Sequence, residues 1–297
     1  MELLYWFESI RNPVFNAFFS AITWFGHELI PIGLICVMYW CINKKLAYRI
    51  GFSFFFSGIS TQALKITFRI PRPWVIDKNF SIVGDAKEAA TSYSFPSGHT
   101  QSATSTYSSL ALCTKKLWLR IILALTFVLV GISRMYLGVH TLNDVIVAMV
   151  LSLTVTLIVF KVSEKYENSS KFDIIISALI MLISAVVIIY SAVLYNKGTI
   201  SHDSLEDCVK SGASGVAFGI GYMIEKRFID FDVRAKNIGL QILKVAAGLG
   251  IALGLKSGLK YIVGESVVGD GIRYFILVFV IIVLYPLVIK AFSKKKQ

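Results

Sequence analysis

Apolar runs of near-bilayer length recur along this chain, and most of them close on a short basic cluster. Residues 117–132, 145–160, 174–195 and 274–289 are nearly unbroken stretches of Leu, Ile, Val, Phe, Ala and other apolar residues. A helix needs roughly 20 mostly apolar residues to cross the hydrocarbon core. In that medium each backbone N–H and C=O must be satisfied within the structure, which leaves helices and closed barrels as spanning forms. The runs are too long for strands, so the pattern predicts an all-α, polytopic membrane bundle. Composition agrees: 56% of residues are hydrophobic, 16% are charged and mean hydropathy is +0.69, more apolar sequence than a water-soluble core uses.

Charges and turn residues divide the chain into about nine transmembrane helices, at 29–42, 47–68, 97–113, 117–134, 140–160, 174–195, 209–224, 238–263 and 272–292. Ahead of them, residues 1–25 carry Leu3, Trp6, Phe7, Ile10, Phe15, Phe18, Phe19 and Ile22 at helical spacing among Glu2, Glu8, Arg11 and Pro13. That segment reads as an interfacial amphipathic helix rather than a span. The net charge of +12 does not point to nucleic acid, because the cations lie in clusters between the runs. Lys44, Lys45 and Arg49, Lys115, Lys116 and Arg120, Lys161, Lys165 and Lys171, Lys226, Arg227, Arg234 and Lys236, and the terminal Lys294, Lys295 and Lys296 all fall on one side of this topology. By the positive-inside rule that side is cytoplasmic, and the loop 69–96, the turn 134–140 and the acidic loop 196–207 face outward or into a lumen.

Several features are read as structural. Cys36, Cys41, Cys113 and Cys208 show no paired metal-ligand spacing. Gly215 and Gly219, and Gly250, Gly254 and Gly258, are expected to let helices approach closely. Lys244, Lys256 and Lys260 could reach a substrate phosphate but are expected to snorkel to an interface, and His27 and His202 have no neighbours that suggest chemistry. The start of the chain lacks a basic region and a small-residue cleavage site, so the first span is expected to act as the insertion signal. Asn79-Phe80-Ser81 is a glycosylation sequon in an outward loop, informative only in a eukaryotic host.

Three stretches at span ends carry ionisable residues, a costly placement that marks function. In Ser133-Arg134-Met135-Tyr136-Leu137-Gly138-Val139-His140-Thr141-Leu142-Asn143-Asp144, His140 and Asp144 are four apart. On a helix the carboxylate accepts the imidazole Nδ1 proton, which leaves Nε2 free to attack an electrophile. In the stretch from Lys65 to Pro73, Lys65 and Arg72 converge near Pro71 and Pro73 and suit an anionic oxyacid, the arginine through its planar fork and the lysine as a point charge. In Ser94-Phe95-Pro96-Ser97-Gly98-His99, Pro96 is placed to start a helix. The N–H groups of Ser97, Gly98 and His99 would then form an anion pocket, with His99 beside a bound phosphate and placed to donate a proton to a leaving oxygen.

These residues, in this order, resemble the three-part signature of the type 2 phosphatidic acid phosphatase (PAP2) superfamily, with no departure at any defining position between residues 65 and 144. That superfamily includes lipid phosphate phosphatases, bacterial undecaprenyl diphosphate and phosphatidylglycerophosphate phosphatases, glucose-6-phosphatase and vanadium haloperoxidases. The resemblance implies that His140, oriented by Asp144, attacks phosphorus to form a phosphohistidine. It implies that Lys65, Arg72, Ser97, Gly98 and Arg134 hold the phosphate oxygens, and that His99 serves as acid and then base. It implies no metal and no other cofactor, and inhibition by vanadate.

The expected partition is a catalytic helical core at residues 1–165 with additional transmembrane helices at 166–297, a layout similar to the nine spans of glucose-6-phosphatase. The expected function is a membrane phosphatase acting on a phosphomonoester or diphosphate of a lipid, of phosphatidate, phosphatidylglycerophosphate or polyprenyl diphosphate type. The alternatives are a glucose-6-phosphatase-like sugar-phosphate phosphatase, a lipid phosphotransferase and a non-catalytic lipid-binding protein. Its partners are then the phosphorylated substrate and the membrane, and no nucleic acid. The expected location is a bacterial plasma membrane with the site outward, or lumenal in an endoplasmic reticulum membrane.

Overall fold

The structure, a computed structural model, describes residues 1–88, 90–235, 237–264 and 266–294, and among them it is all helix with no strand. Lys236, Lys295 and Lys296, used in the orientation argument, lie outside the described residues. The N-terminal part forms α1 (Glu2–Ser9), α2 (Pro13–Thr23) and α3 (Leu29–Val37), which runs into a π-helical turn Met38–Ile42. Then come α4 (Lys44–Phe68), a single turn α5 (Pro73–Ile76), α6 (Gly98–Cys113), α7 (Leu117–Tyr136), α8 (Leu142–Tyr166) and α9 (Ser170–Asn196). The remainder is α10 (His202–Ile224), α11 (Ile238–Val263), α12 (Val267–Phe279) and α13 (Tyr285–Lys294). Short polar residues start these helices where chain entropy would otherwise fray them: Asn43, Ser97, Thr141, Ser169, Ser201, Asn237 and Ser266 each accept a first-turn backbone N–H.

Five described helical stretches are long and apolar enough to cross a membrane: Leu117–Tyr136, Leu142–Tyr166, Ser170–Asn196, Ile238–Val263 and Val267–Phe292. A sixth results if Pro13–Gly26 and Leu29–Ile42, which meet at a 46° bend, count as one. The nine spans and the glucose-6-phosphatase-like layout expected from charge punctuation are therefore not established. The shortfall has a physical origin in α4, α6 and α10, which are the polar, inner helices. α4 packs on α6, α8, α9 and α10. On α6 the residues Thr100, Gln101, Ser102, Thr104, Ser105, Thr106, Ser108 and Ser109 are all buried. A helix sheathed by its neighbours has no need of an apolar surface all round, and small polar side chains let those neighbours come close. The lipid-like surface falls to α7, α8, α9 and α11, whose Ile122, Leu157, Leu182 and Leu243 are exposed.

Glycine serves that packing at some of the expected places. A Cβ at Gly215 would stand 2.6 Å from Ile59 of α4, and one at Gly219 would stand 2.8 Å from Met181 of α9. Gly250, Gly254 and Gly258 are a correction: a Cβ on any of them meets nothing within 4 Å. The glycine of α11 that faces the protein is Gly248, where a Cβ would lie 2.5 Å from Trp40. Two positions along a helix turn through about 200°, so a stripe starting at Gly250 points away from the face that packs.

Ion pairs fasten one end of the bundle. Lys44 lies 2.9 Å from Glu225 and 2.7 Å from Asp230, Lys45 lies 2.9 Å from Glu167, and Lys226 lies 2.6 Å from Asp173. The Tyr48 hydroxyl donates to the same Glu225. These contacts join the start of α4, the end of α8, the start of α9 and the end of α10. The opposite end of α4, with the start of α6, the end of α7 and the start of α8, holds the candidate site.

Candidate active site

Each predicted stretch sits where local structure dictates. Arg69 takes a left-handed conformation (φ 50°) that ends α4 just beyond Lys65. Arg72 precedes a proline and is therefore extended, which carries its side chain back under the loop 90–97. Its Nε donates to the Ser92 carbonyl at 2.8 Å, its Nη1 donates to the Val139 carbonyl at 3.0 Å, and Nη1 stands 2.9 Å from His140 Nε2. Lys65 donates to the Tyr93 carbonyl. Arg134, at the end of α7, donates through Nη1 to Thr23 Oγ1 at 2.8 Å, while its buried Nε has no protein partner.

The pairing of His140 and Asp144 is assembled by a capping box. Thr141 Oγ1 accepts the Asp144 N–H, and Asp144 Oδ2 accepts the Thr141 N–H at 2.7 Å. The same Oδ2 accepts the Ser94 hydroxyl and lies 3.5 Å from His140 Nδ1. With a guanidinium donor at Nε2 and a carboxylate at Nδ1, the consistent tautomer carries its proton on Nδ1. Burial, and then the neighbouring Arg72, Arg134 and Lys65, hold the His140 imidazole well below its usual pKa, so it is neutral in this setting. Burial likewise pushes the Arg72 guanidinium down to about 10, against the pull of Asp144.

The anion pocket expected at the start of α6 forms only in part. The Ser97 N–H donates to the Asp144 carbonyl at 3.1 Å, and Ser97 Oγ accepts from Thr100 Oγ1 at 2.9 Å. This leaves the N–H groups of Gly98 and His99, which as first-turn groups have no intrahelical acceptor. A Cβ at Gly98 would meet nothing within 4 Å, so the residue is small toward open space and not toward packed protein.

Lys65, Arg72, Gly98, His99, Arg134 and His140 line one cavity of about 720 Å³. Ser97 and Asp144 stand behind it as supports. Lys65, Arg72 and Arg134 are at most 7% exposed, and among the described residues none has a carboxylate within salt-bridge distance. Such a group of buried cations is suited to a multiply charged oxyanion. From its polar end the cavity runs along Ile32, Phe55, Phe218, Leu253 and Ile281, supplied by α3, α4, α10, α11 and the turn after α12.

Two sequence readings need correction here. His27 lines the cavity, with its ring centroid 6.0 Å from that of His99 in an edge-on arrangement. Lys256 also lines it and pairs with Glu28 at 2.7 Å, so it does not simply reach for an interface. A lone histidine and a lysine in a glycine-rich helix carry no spacing signal. The bend between α2 and α3 brings His27 to the site, and the packing of α11 on α3 and α12 brings Lys256 there.

Residues 46–168 match the model of the PAP2 superfamily, and residues 209–297 match that of the PAP2 superfamily phosphatase, transmembrane extension. The chain is similar to phosphatidylglycerophosphatase B of Bacillus subtilis (strain 168), with 39% identity over 87 residues, which is 26% of this chain and 43% of that protein. The match thus spans less than half the length of that relative. A solved structure, Aquifex aeolicus LpxE, aligns with 24% identity and a TM-score of 0.46 over 54% of this chain and 93% of that one.

Proposed function

Taking as premise a PAP2-superfamily region at residues 46–168 followed by that superfamily's phosphatase transmembrane extension, we propose that this chain is an integral membrane phosphatase. Its substrate is the phosphomonoester or diphosphate of a lipid, and its intermediate is a phosphohistidine. The observation that carries the reading is the single cavity in which Lys65, Arg72, Arg134, His99 and His140 meet at one end and apolar side chains line the other. A phosphate with a hydrocarbon tail fits both ends.

In this reading His140 Nε2 attacks phosphorus while the bond to the leaving oxygen breaks, and His99 gives that oxygen a proton. Neutral His99 then takes a proton from water, whose oxygen attacks phosphorus and returns His140 with free phosphate. Arg72, which stands on Nε2 in the free protein, must move its donor to the phosphate as substrate enters. Lys65, Arg134 and the Gly98 N–H share the equatorial oxygens. Ser97 holds the start of α6 in place and Asp144 keeps the His140 proton on Nδ1. The cations supply the positive field, so the reaction runs without a metal. Residues 1–165 form the catalytic core, residues 166–297 pack on it, and the site faces the side opposite the lysine-rich ends, outward from the cytoplasm.

The test is phosphate release by the purified chain, with chelator present, from phosphatidate, phosphatidylglycerophosphate, a polyprenyl diphosphate and glucose 6-phosphate, with vanadate as inhibitor. Vanadate-sensitive release from a lipid supports the reading. Preference for the sugar phosphate replaces the substrate class, and no release from any of the four overturns the assignment.

A further inference from the structure

Residues 23–28 lie outside both family-matched regions, yet they touch the candidate site at several separate points. Arg134 Nη1 donates to Thr23 Oγ1 at 2.8 Å. A Cβ on Gly26 would fall 2.7 Å from the His99 carbonyl oxygen and 2.6 Å from Val130, so only glycine lets the turn approach α6 and α7 this closely. The His27 ring packs on Trp24, at a centroid distance of 4.8 Å, and on His99, at 6.0 Å. Glu28 then pairs across the cavity with Lys256 of α11 at 2.7 Å.

Each contact supplies something the matched stretches lack. Among the described residues, Thr23 is the protein hydrogen-bond partner of the Arg134 side chain, whose Nε is buried without one. A guanidinium held at one corner keeps its remaining donors pointed in a fixed direction. The His99 side chain has no described hydrogen-bond partner, and the described ring packed on it is His27. An edge-on ring contact is a weak interaction, but it selects orientation.

We propose that the turn at residues 23–28 is a fourth part of the active site, in which Thr23 and His27 are positioning residues that set the Arg134 guanidinium and the His99 imidazole. The roles given to Arg134 and His99 rest on the phosphatase reading, whereas the contacts themselves do not. Holding Arg134 acts on binding of the phosphate oxygens. Holding His99 acts on proton transfer to the leaving oxygen, and so on turnover.

The experiment uses the full-length chain in detergent and compares Thr23→Val, His27→Ala and His27→Phe with the wild type. It measures phosphate release from the lipid phosphate that the wild type hydrolyses best, vanadate affinity by calorimetry, and thermal unfolding. His27→Ala is expected to lower kcat about ten-fold with KM within about two-fold, and His27→Phe to recover most of that loss, because a ring is restored without a titrating group. Thr23→Val is expected to weaken vanadate about five-fold and to raise KM with kcat little changed. A merely structural role would lower the melting temperature of all three variants and move kcat and KM together. That result overturns the inference, as do unchanged kinetics in both His27→Ala and Thr23→Val. If the wild type releases no phosphate, the phosphatase reading fails. Vanadate affinity then decides the inference alone: Thr23→Val weakens it if the inference holds, and equal affinity overturns it.

Discussion

The two ends of α4 handle cations in opposite ways. At the end that starts with Lys44, four cations have carboxylates: Lys44 has Glu225 and Asp230, Lys45 and Arg49 share Glu167, and Lys226 has Asp173. At the other end Lys65, Arg72 and Arg134 are more deeply buried and are met by carbonyls, a hydroxyl and an imidazole. A buried charge without a counter-charge is expensive. Asp144 and Asp207 act on Lys65 and Arg72 only from beyond salt-bridge distance, so three cations face two more distant carboxylates and this end is suited to an added anion. In the proposed reading the paired end is architecture and the other end is prepared for an oxyanion.

The largest effect is expected at the proposed nucleophile. His140→Ala is expected to lower phosphate release by about 10⁴-fold or more, because no other group takes over a covalent step. Thermal unfolding and helix content should be close to wild type, and retained hydrolysis would refute the phosphohistidine route. In the wild type the neutral imidazole is the active form, and burial lowers its pKa below the ordinary 6.5. Protonation of His140 then removes activity as pH falls through that lowered value, so the acid limb of kcat/KM lies below pH 6.5, while the need for a protonated His99 sets a separate limb on the alkaline side. An acid limb centred above 6.5 would contradict the burial argument.

Lys44→Met attacks the paired end. It leaves Glu225, whose side chain is 1% exposed, without its cation, and breaking such a pair costs about 3–5 kcal/mol. Tyr48 and the Phe231 N–H still donate to Glu225 and place the effect toward the low end of that range. The readout is a clear fall in melting temperature with kcat/KM of the surviving protein unchanged. Arg134→Met is its mirror image. Removing a cation that has an orphaned Nε should leave the melting temperature equal or higher, while kcat/KM falls about 10²–10³-fold with the lost oxyanion donor. If Arg134→Met destabilises as strongly as Lys44→Met, the two ends do not differ in kind.

Much of this contrast is legible in the sequence, for an identifiable reason. Lys65, Arg72, His99, Arg134 and His140 are charged or titratable residues at the ends of apolar runs, where their cost makes them conspicuous, and the structure gathers all five around one cavity. The sequence places the Ser97 N–H in an anion pocket, but that group is already spent on the Asp144 carbonyl, a tertiary contact that no local pattern shows. Thr23 and His27 were illegible because their role depends on a 46° bend between α2 and α3. The repeat Gly250, Gly254, Gly258 reveals a stripe of small residues but cannot say which way it faces, and here it faces no described neighbour. Span counting stumbles on α4, α6 and α10 because polarity identifies an inner helix only once its sheath is known.

The weakest perturbation of the paired end sets the scale for the rest. Lys45 is 66% exposed and its partner Glu167 is 31% exposed, so their attraction acts through water and salt screens it. Glu167 is held below its ordinary pKa first by the hydrogen bond from Lys45, opposed by desolvation, with Lys45, Arg49 and Lys226 adding charge. A lowered carboxylate contributes stability that is fully present above the unfolded value near 4.5 and is lost as pH falls through the folded one. After Lys45→Ala, Arg49 still lies 3.3 Å from Glu167, so the carboxylate keeps a cation. The expected loss is therefore about 0.2–1 kcal/mol at neutral pH, smaller in high salt, with no change in phosphate release. It should vanish when the melting temperature is measured at a pH low enough to protonate Glu167. A loss as large as that from Lys44→Met would mean that the exposed and buried pairs act as one network, and that burial is not what separates strong pairing from weak at this end.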